Sequence, residues 1–173
     1  MRLGYTVAPI PQMLKASVPV GIGVDGGASN DSGDMLGELR TTLMVHRIDG
    51  VHEGLRKREW LSPKDVFGMA IATGASILRR QDAIGSLEEG KAADLISIPW
   101  KTIQYAGGSS DPLSALLLCG HNHRVAYSMV NGVMLVDSGK LVNIDEAALF
   151  EEAEATTAKL IERAEKATGL RFR

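Results

Sequence analysis

The sequence is poor in residues that brace small folds covalently or through metal clusters. Cys119 is its only cysteine. No disulfide can close within the chain, and no cysteine-based zinc cluster is available. A lone cysteine of this kind reads as a small buried apolar side chain. Long hydrophobic runs are missing too. No apolar stretch approaches the roughly 20 residues that cross a bilayer. The opening Met1-Arg2-Leu3-Gly4-Tyr5 has no signal-peptide core. These absences point to the cytoplasm. Positive charge is not concentrated either. The net charge is −2, and the basic cluster Arg56, Lys57 and Arg58 is flanked by Glu53 and Glu59. A nucleic-acid partner would need a continuous basic face, so neither nucleic acid nor membrane is expected as a partner. What is present, 45% hydrophobic and 23% charged residues over 173 positions, suits a globular chain of one ordinary domain, or a small domain with part of another.

The patterning is that of an α/β protein. Val20, Ile22 and Val24 alternate with glycine and predict a short strand over Val20–Val24. Pro19 argues against a central antiparallel position for it. Asp25 ends the strand, and Gly26-Gly27-Ala28-Ser29-Asn30 forms a loop. Asp31 or Ser32 can cap the next helix, in which Met35, Leu36, Leu39, Leu43 and Met44 recur at helical spacing until about His46–Asp49. Ser62-Pro63-Lys64-Asp65 opens another helix as a capping box with proline at the first position. Gly74 ends or interrupts it, and a short helix follows over Ala75–Arg79. After Asp82 the character changes. Ala93–Ile98 reads as a strand, a polar loop runs through Gly107-Gly108-Ser109-Ser110, and Val125–Val130 and Val133–Val136 flank the hairpin dipeptide Asn131-Gly132. Leu141-Val142 follows a further turn. From Asp145 the spacing of Leu149, Ala153, Thr156, Leu160, Ala164 and Ala167 predicts a helical tail.

Three segments carry a family resemblance. VPVGIGVDGGASNDSGDM, from Val18 to Met35, resembles the last barrel strand and following loop of the purine and triazine deaminase subgroup of the amidohydrolase superfamily. IGSLEEGKAADLISI, from Ile84 to Ile98, resembles that superfamily's return into its β-sandwich domain. VAYSMVNGVMLVDSGKLV, from Val125 to Val142, resembles the hairpin that closes it. The opening MRLGYTVAPIPQML is similar to the segment after the seventh barrel strand. Within the subgroup, 8-oxoguanine deaminase and hydroxyatrazine ethylaminohydrolase are the nearest in likeness. The resemblance implies residues 1–82 as the terminal segment of a (β/α)8 barrel, 83–144 as a sandwich segment and 145–173 as a C-terminal helix. A whole barrel needs ~250 residues, and the paired histidines of its first strand are absent. The chain is therefore expected to be the C-terminal portion of the enzyme, inactive alone.

The resemblance assigns Asp25 two tasks at the C-terminal face of the barrel: contacting a divalent metal, zinc by preference, and taking a proton from the attacking water. The reaction implied is hydrolytic deamination of a heterocycle such as 8-oxoguanine, guanine or hydroxyatrazine, a C–N bond hydrolysis. Ser29 and Asn30 are candidates to contact that small-molecule substrate, and Leu3 and Gly4 to border its pocket. From spacing alone, Asp25 equally suits a turn acid beside Gly26-Gly27, and Ser29 and Asn30 suit a helix entrance. His121-Asn122-His123 has metal-gripping spacing on a strand, but lies far along the sequence from Asp25 and reads as a loop or strand entry. His46 and His52 flank the end of the first long helix. A different reading is a small α/β module whose Gly26-Gly27 loop cradles phosphate, although no phosphate-loop spacing is present and Asp25 and Asp31 would repel an anion. Another is a non-catalytic subunit that completes a partner chain's barrel. A homo-oligomer is compatible with each.

Overall fold

In a computed structural model the chain is described at residues 4, 6–27, 29–48, 60–119 and 124–172. The basic cluster at Arg56–Arg58, His52 and His121-Asn122-His123 lie outside these residues.

The first helix, α1 (Ile10–Lys15), follows Pro9 and buries Ile10 and Pro11. The next, α2 (Met35–Val45), buries Leu36, Leu39 and Leu43 on one face, as the spacing predicts. Its cap differs from the expectation. Asp34, not Asp31 or Ser32, accepts from the Gly37 amide at 3.0 Å. Ser32 is committed elsewhere, its hydroxyl donating to Asn30 Oδ1 at 2.9 Å. The helix ends at His46, which is 2% exposed. The ring nitrogens of His46 lie 2.8 Å from the Thr42 carbonyl and 2.9 Å from the Ala8 carbonyl, so this side chain ties the segment before α1 to the end of α2.

Helix α3 (Pro63–Gly68) starts with the full capping box: Ser62 Oγ accepts from the Asp65 amide, and the Asp65 carboxylate accepts from the Ser62 amide. Gly74 interrupts the helix and does not end it. A π-turn over Met69–Thr73 leads directly into α4 (Gly74–Ile77). The extended stretch before Asp25 is the clearest difference from expectation. Residues 18–24 are not assigned as a strand. Val20 is buried in the core and Ile22 packs against it, but the stretch has no ladder partner among the described residues. Gly21 permits close packing, since a Cβ there would sit 3.2 Å from Ile77 Cδ1, whereas Gly23 faces open space.

The strands form one antiparallel sheet in the order β1 (Leu95–Ser97), β2 (Tyr127–Val130), β3 (Val133–Asp137) and β4 (Lys140–Leu141). Val130 pairs with Val133 across the Asn131-Gly132 turn. Both turn residues are left-handed, at φ 47° and 78°, as a two-residue hairpin with native twist requires. Between β1 and β2 comes α5 (Pro112–Leu118), which the sequence reading missed. Its start was legible: Asp111 caps it and Pro112 occupies the first turn. Seven residues are too few for periodicity to declare a helix. Helix α6 (Glu146–Thr168) runs from an Asp145 cap to a left-handed Gly169. It leaves Leu149, Phe150 and Leu160 more than half exposed.

One core joins these pieces. Ile10, Val20, Leu36, Leu39, Leu43, Leu61, Val66, Met69 and Leu117 form a single buried cluster. Leu117 brings α5 onto α2 and α3. Arg40 reinforces the junction by donating from Nη1 to the carbonyls of Leu117 and Leu118, each at 3.1 Å. Those carbonyls are at the C-terminal end of α5, where a helix presents unpaired acceptors and partial negative charge. Cys119 is exposed, not buried as the composition suggested. It stands at the C-cap of α5, one residue past the turn that carries Leu117 into the core. Among the described residues no helix is long and apolar enough to cross a membrane.

Candidate functional site

The site is built on the loop between the extended stretch and α2. Asp25 is exposed and left-handed, at φ 66°. Aspartate is among the few non-glycine residues that visit this region readily. Gly26 follows at φ 77°. Two successive left-handed residues turn the chain sharply at the end of the extended stretch. The turn is closed by the Gly26 carbonyl, which accepts from the amides of Ser29 at 3.2 Å and Asn30 at 2.9 Å.

Asn30 then anchors the loop to α2. Its Nδ2 donates to Glu38 Oε1 at 2.7 Å. Its Oδ1 accepts from the Ser32 amide at 3.1 Å and from the Ser32 hydroxyl at 2.9 Å. Ser32 Oγ in turn accepts from the Asp34 amide at 3.3 Å, and Asp34 caps α2. Asp25, Ser29 and Asn30 therefore share one hydrogen-bonded loop, and Ser29 and Asn30 are half-buried. Glu38 was not singled out by the sequence. The signal that could have found it is its position in the first turn of α2, on the helix that the loop enters. Gly4 is exposed and left-handed at φ 74°; Leu3 lies outside the described residues.

A metal can be tested against these donors. Among the described residues no three histidine, cysteine or acidic side chains converge on a point where an ion could sit. A catalytic zinc takes three protein ligands. Asp25 offers one exposed carboxylate, so the described residues do not fit a complete metal site; Asp25 fits only as one ligand among others.

The chain belongs to the amidohydrolase family, whose sequence profile matches residues 1–135. Among its relatives is the 8-oxoguanine deaminase of Pseudomonas aeruginosa, 37% identical over 161 residues, which are 93% of this chain and 34% of that protein. The hydroxydechloroatrazine ethylaminohydrolase of a Pseudomonas species (strain ADP) is 32% identical, over 92% of this chain and 32% of its own length. An atrazine chlorohydrolase of Arthrobacter aurescens, crystallised with zinc, superposes with a TM-score of 0.78 at 34% identity, covering 88% of this chain and 33% of that one. An adenosine deaminase of Xanthomonas campestris, also with bound zinc, gives 0.79 at 29% identity, covering 91% of this chain and 34% of that one. The chain thus spans about a third of the length of the relatives it matches.

Proposed function

We propose that this chain is the C-terminal portion of a zinc-dependent deaminase acting on a purine or triazine-type ring, with residues 1–82 closing the barrel, 83–144 belonging to the sandwich and 145–173 forming the terminal helix. The observation that carries the reading is the placement of Asp25: exposed, at the end of the extended stretch, held left-handed on a loop tied into α2. In a barrel of parallel strands that end faces the active site. Relatives that share this segment include deaminases of 8-oxoguanine and adenosine and hydrolases of triazines.

When bound, zinc brings the pKa of water to about 7 and so supplies a nucleophile at neutral pH. The tasks of this chain are separate. Asp25 accepts the proton lost by the attacking water and returns it to the leaving nitrogen, so that ammonia departs as a neutral molecule. Its carboxylate would also serve as one ligand of the metal, with the others coming from outside the described residues. Ser29 and Asn30, half-buried on the same loop, contact the substrate in this reading. A carboxamide has two N–H bonds. Glu38 accepts from Asn30 Nδ2, and the second N–H is available to a ring nitrogen or carbonyl of the substrate.

The test is release of ammonia from 8-oxoguanine and guanine, and of ethylamine from hydroxyatrazine, by the complete protein, meaning this chain together with the two thirds its relatives carry in addition. Turnover of at least one of these rings, lost on Asp25→Asn, is the expected result. A complete protein that releases neither amine from any of them would refute the assignment.

A further inference from the structure

Among the described residues the Asp25 side chain has no hydrogen-bond partner that would fix it, so its direction follows from its left-handed backbone and from the loop after it. The hydrogen bonds of the loop enter α2 by two routes, through Ser32 to the Asp34 cap and through Asn30 to Glu38. Gly26, next to Asp25, is bound through its carbonyl to the amides of Ser29 and Asn30. Asn30 is bound through its side chain to Ser32 on one side and to Glu38 on the other. Glu38 is rigid in its turn. It lies in the first turn of α2, its amide donates to the Asp34 carbonyl at 3.0 Å, and α2 is fixed by the buried Leu39 and by Arg40 gripping the end of α5. The 2.7 Å contact from Asn30 to Glu38 is thus a direct side-chain link from the loop to the body of α2, beside the route through Ser32 and Asp34. It has a charged acceptor and is half-buried, which strengthens it relative to a neutral bond in water.

We propose that Glu38 is a positioning residue: it holds Asn30, and through Asn30 and the Gly26 carbonyl it sets the direction in which Asp25 is presented. The proposal rests on the reading of Asp25 as the proton-transferring carboxylate. Placement errors of about 1 Å at a reacting group can cost on the order of 10²-fold in rate, so a clamp one residue removed from Asp25 acts on turnover without touching substrate. The geometry also dictates which replacements suffice. Glu38→Gln keeps an oxygen that can accept from Asn30 Nδ2, whereas Glu38→Ala removes that acceptor and leaves the loop tied to α2 only through Ser32 and Asp34.

The experiment compares Glu38→Ala, Glu38→Gln, Asn30→Ala, the double variant Asn30→Ala with Glu38→Ala, and Asp25→Asn in the complete protein. Three quantities are read: kcat and KM on 8-oxoguanine, thermal midpoint, and amide hydrogen exchange over residues 26–34. For Glu38→Ala we expect kcat to fall on the order of 10-fold to 10²-fold, with KM raised as Asn30 loses its place, the midpoint near wild type and exchange in the loop accelerated. Glu38→Gln should restore most of the rate and the protection. The double variant should be no slower than the worse single one, because one link cannot be broken twice. Wild-type kcat and unchanged exchange in Glu38→Ala, alongside an inactive Asp25→Asn, would overturn the positioning role and leave the assignment of Asp25 standing. Loss of thermal stability in step with kcat would overturn it as well, by showing a general structural role. Normal turnover in Asp25→Asn would instead defeat the underlying reading of Asp25, and with it this one.

Discussion

Asp25 and Asn30 divide one loop between presentation and support, and the choice of replacement decides what a mutation there reports. Asparagine tolerates the left-handed region as aspartate does. Asp25→Asn should therefore keep the φ of 66° and remove only the proton acceptor. The expected loss in kcat is on the order of 10²-fold or more, measured by ammonia release in the complete protein. Asp25→Ala would mix that loss with a backbone change. A second prediction concerns Gly85, inside the IGSLEEGK motif. It lies at φ 90°, and a Cβ there would stand 2.6 Å from the Cβ of Ala75. Gly85→Ala combines backbone strain with overpacking and should destabilise by about 1–3 kcal/mol, read as a lower denaturant midpoint. Asp25 was singled out through the family resemblance of Val18–Met35, since from spacing alone it suits a turn acid beside Gly26-Gly27. Glu38 was not, since its partner lies eight residues earlier in a loop with no periodicity of its own.

Among the elements, α2 does most to hold the described residues together. Leu43 is fully buried in its last turn, so Leu43→Ala should cost about 2–5 kcal/mol, seen in thermal or chemical unfolding. Helix α5 offers a test in pH. The Asp111 carboxylate accepts from the Ser114 hydroxyl at 2.6 Å and from the Ser114 amide at 3.1 Å. Those bonds, the hydroxyl's first, hold its pKa below the ordinary value. A depressed carboxyl pKa adds stability above the unfolded value of about 3.9, and the addition is lost as pH falls through the folded value. Ser114→Ala should move the Asp111 titration upward towards that ordinary range, as followed by NMR of the carboxyl carbon. The sequence revealed the long helices and the β2–β3 hairpin because period, caps and the Asn131-Gly132 dipeptide agree on them. It gave the extended stretch at Val20–Val24 as a strand, since alternation reports which face is buried but says nothing of a ladder partner. It passed over α1 and α5, which are six and seven residues long. Cys119 was misjudged because burial was inferred from residue type, whereas its place just beyond α5 exposes it.

At the scale of the molecule, the parts left uncovered match the proposed role as a portion of a larger enzyme. The extended stretch before Asp25 lacks a ladder partner among the described residues, and β1, at the sheet edge, has Ile96 54% exposed. Unpaired edges and exposed apolar side chains invite association with other chains, so light scattering of the isolated 173-residue chain should show concentration-dependent association. The central claim is that Asp25 is one ligand of a catalytic centre whose remaining ligands lie outside the described residues. A single exposed carboxylate cannot reproduce the affinity of three ligands held at fixed geometry. The most direct test is the zinc retained by the 173-residue chain after dialysis against the metal, with ammonia release from 8-oxoguanine read on the same sample. The account predicts no tightly held zinc and no release above background. One equivalent of tightly bound zinc with turnover would contradict it.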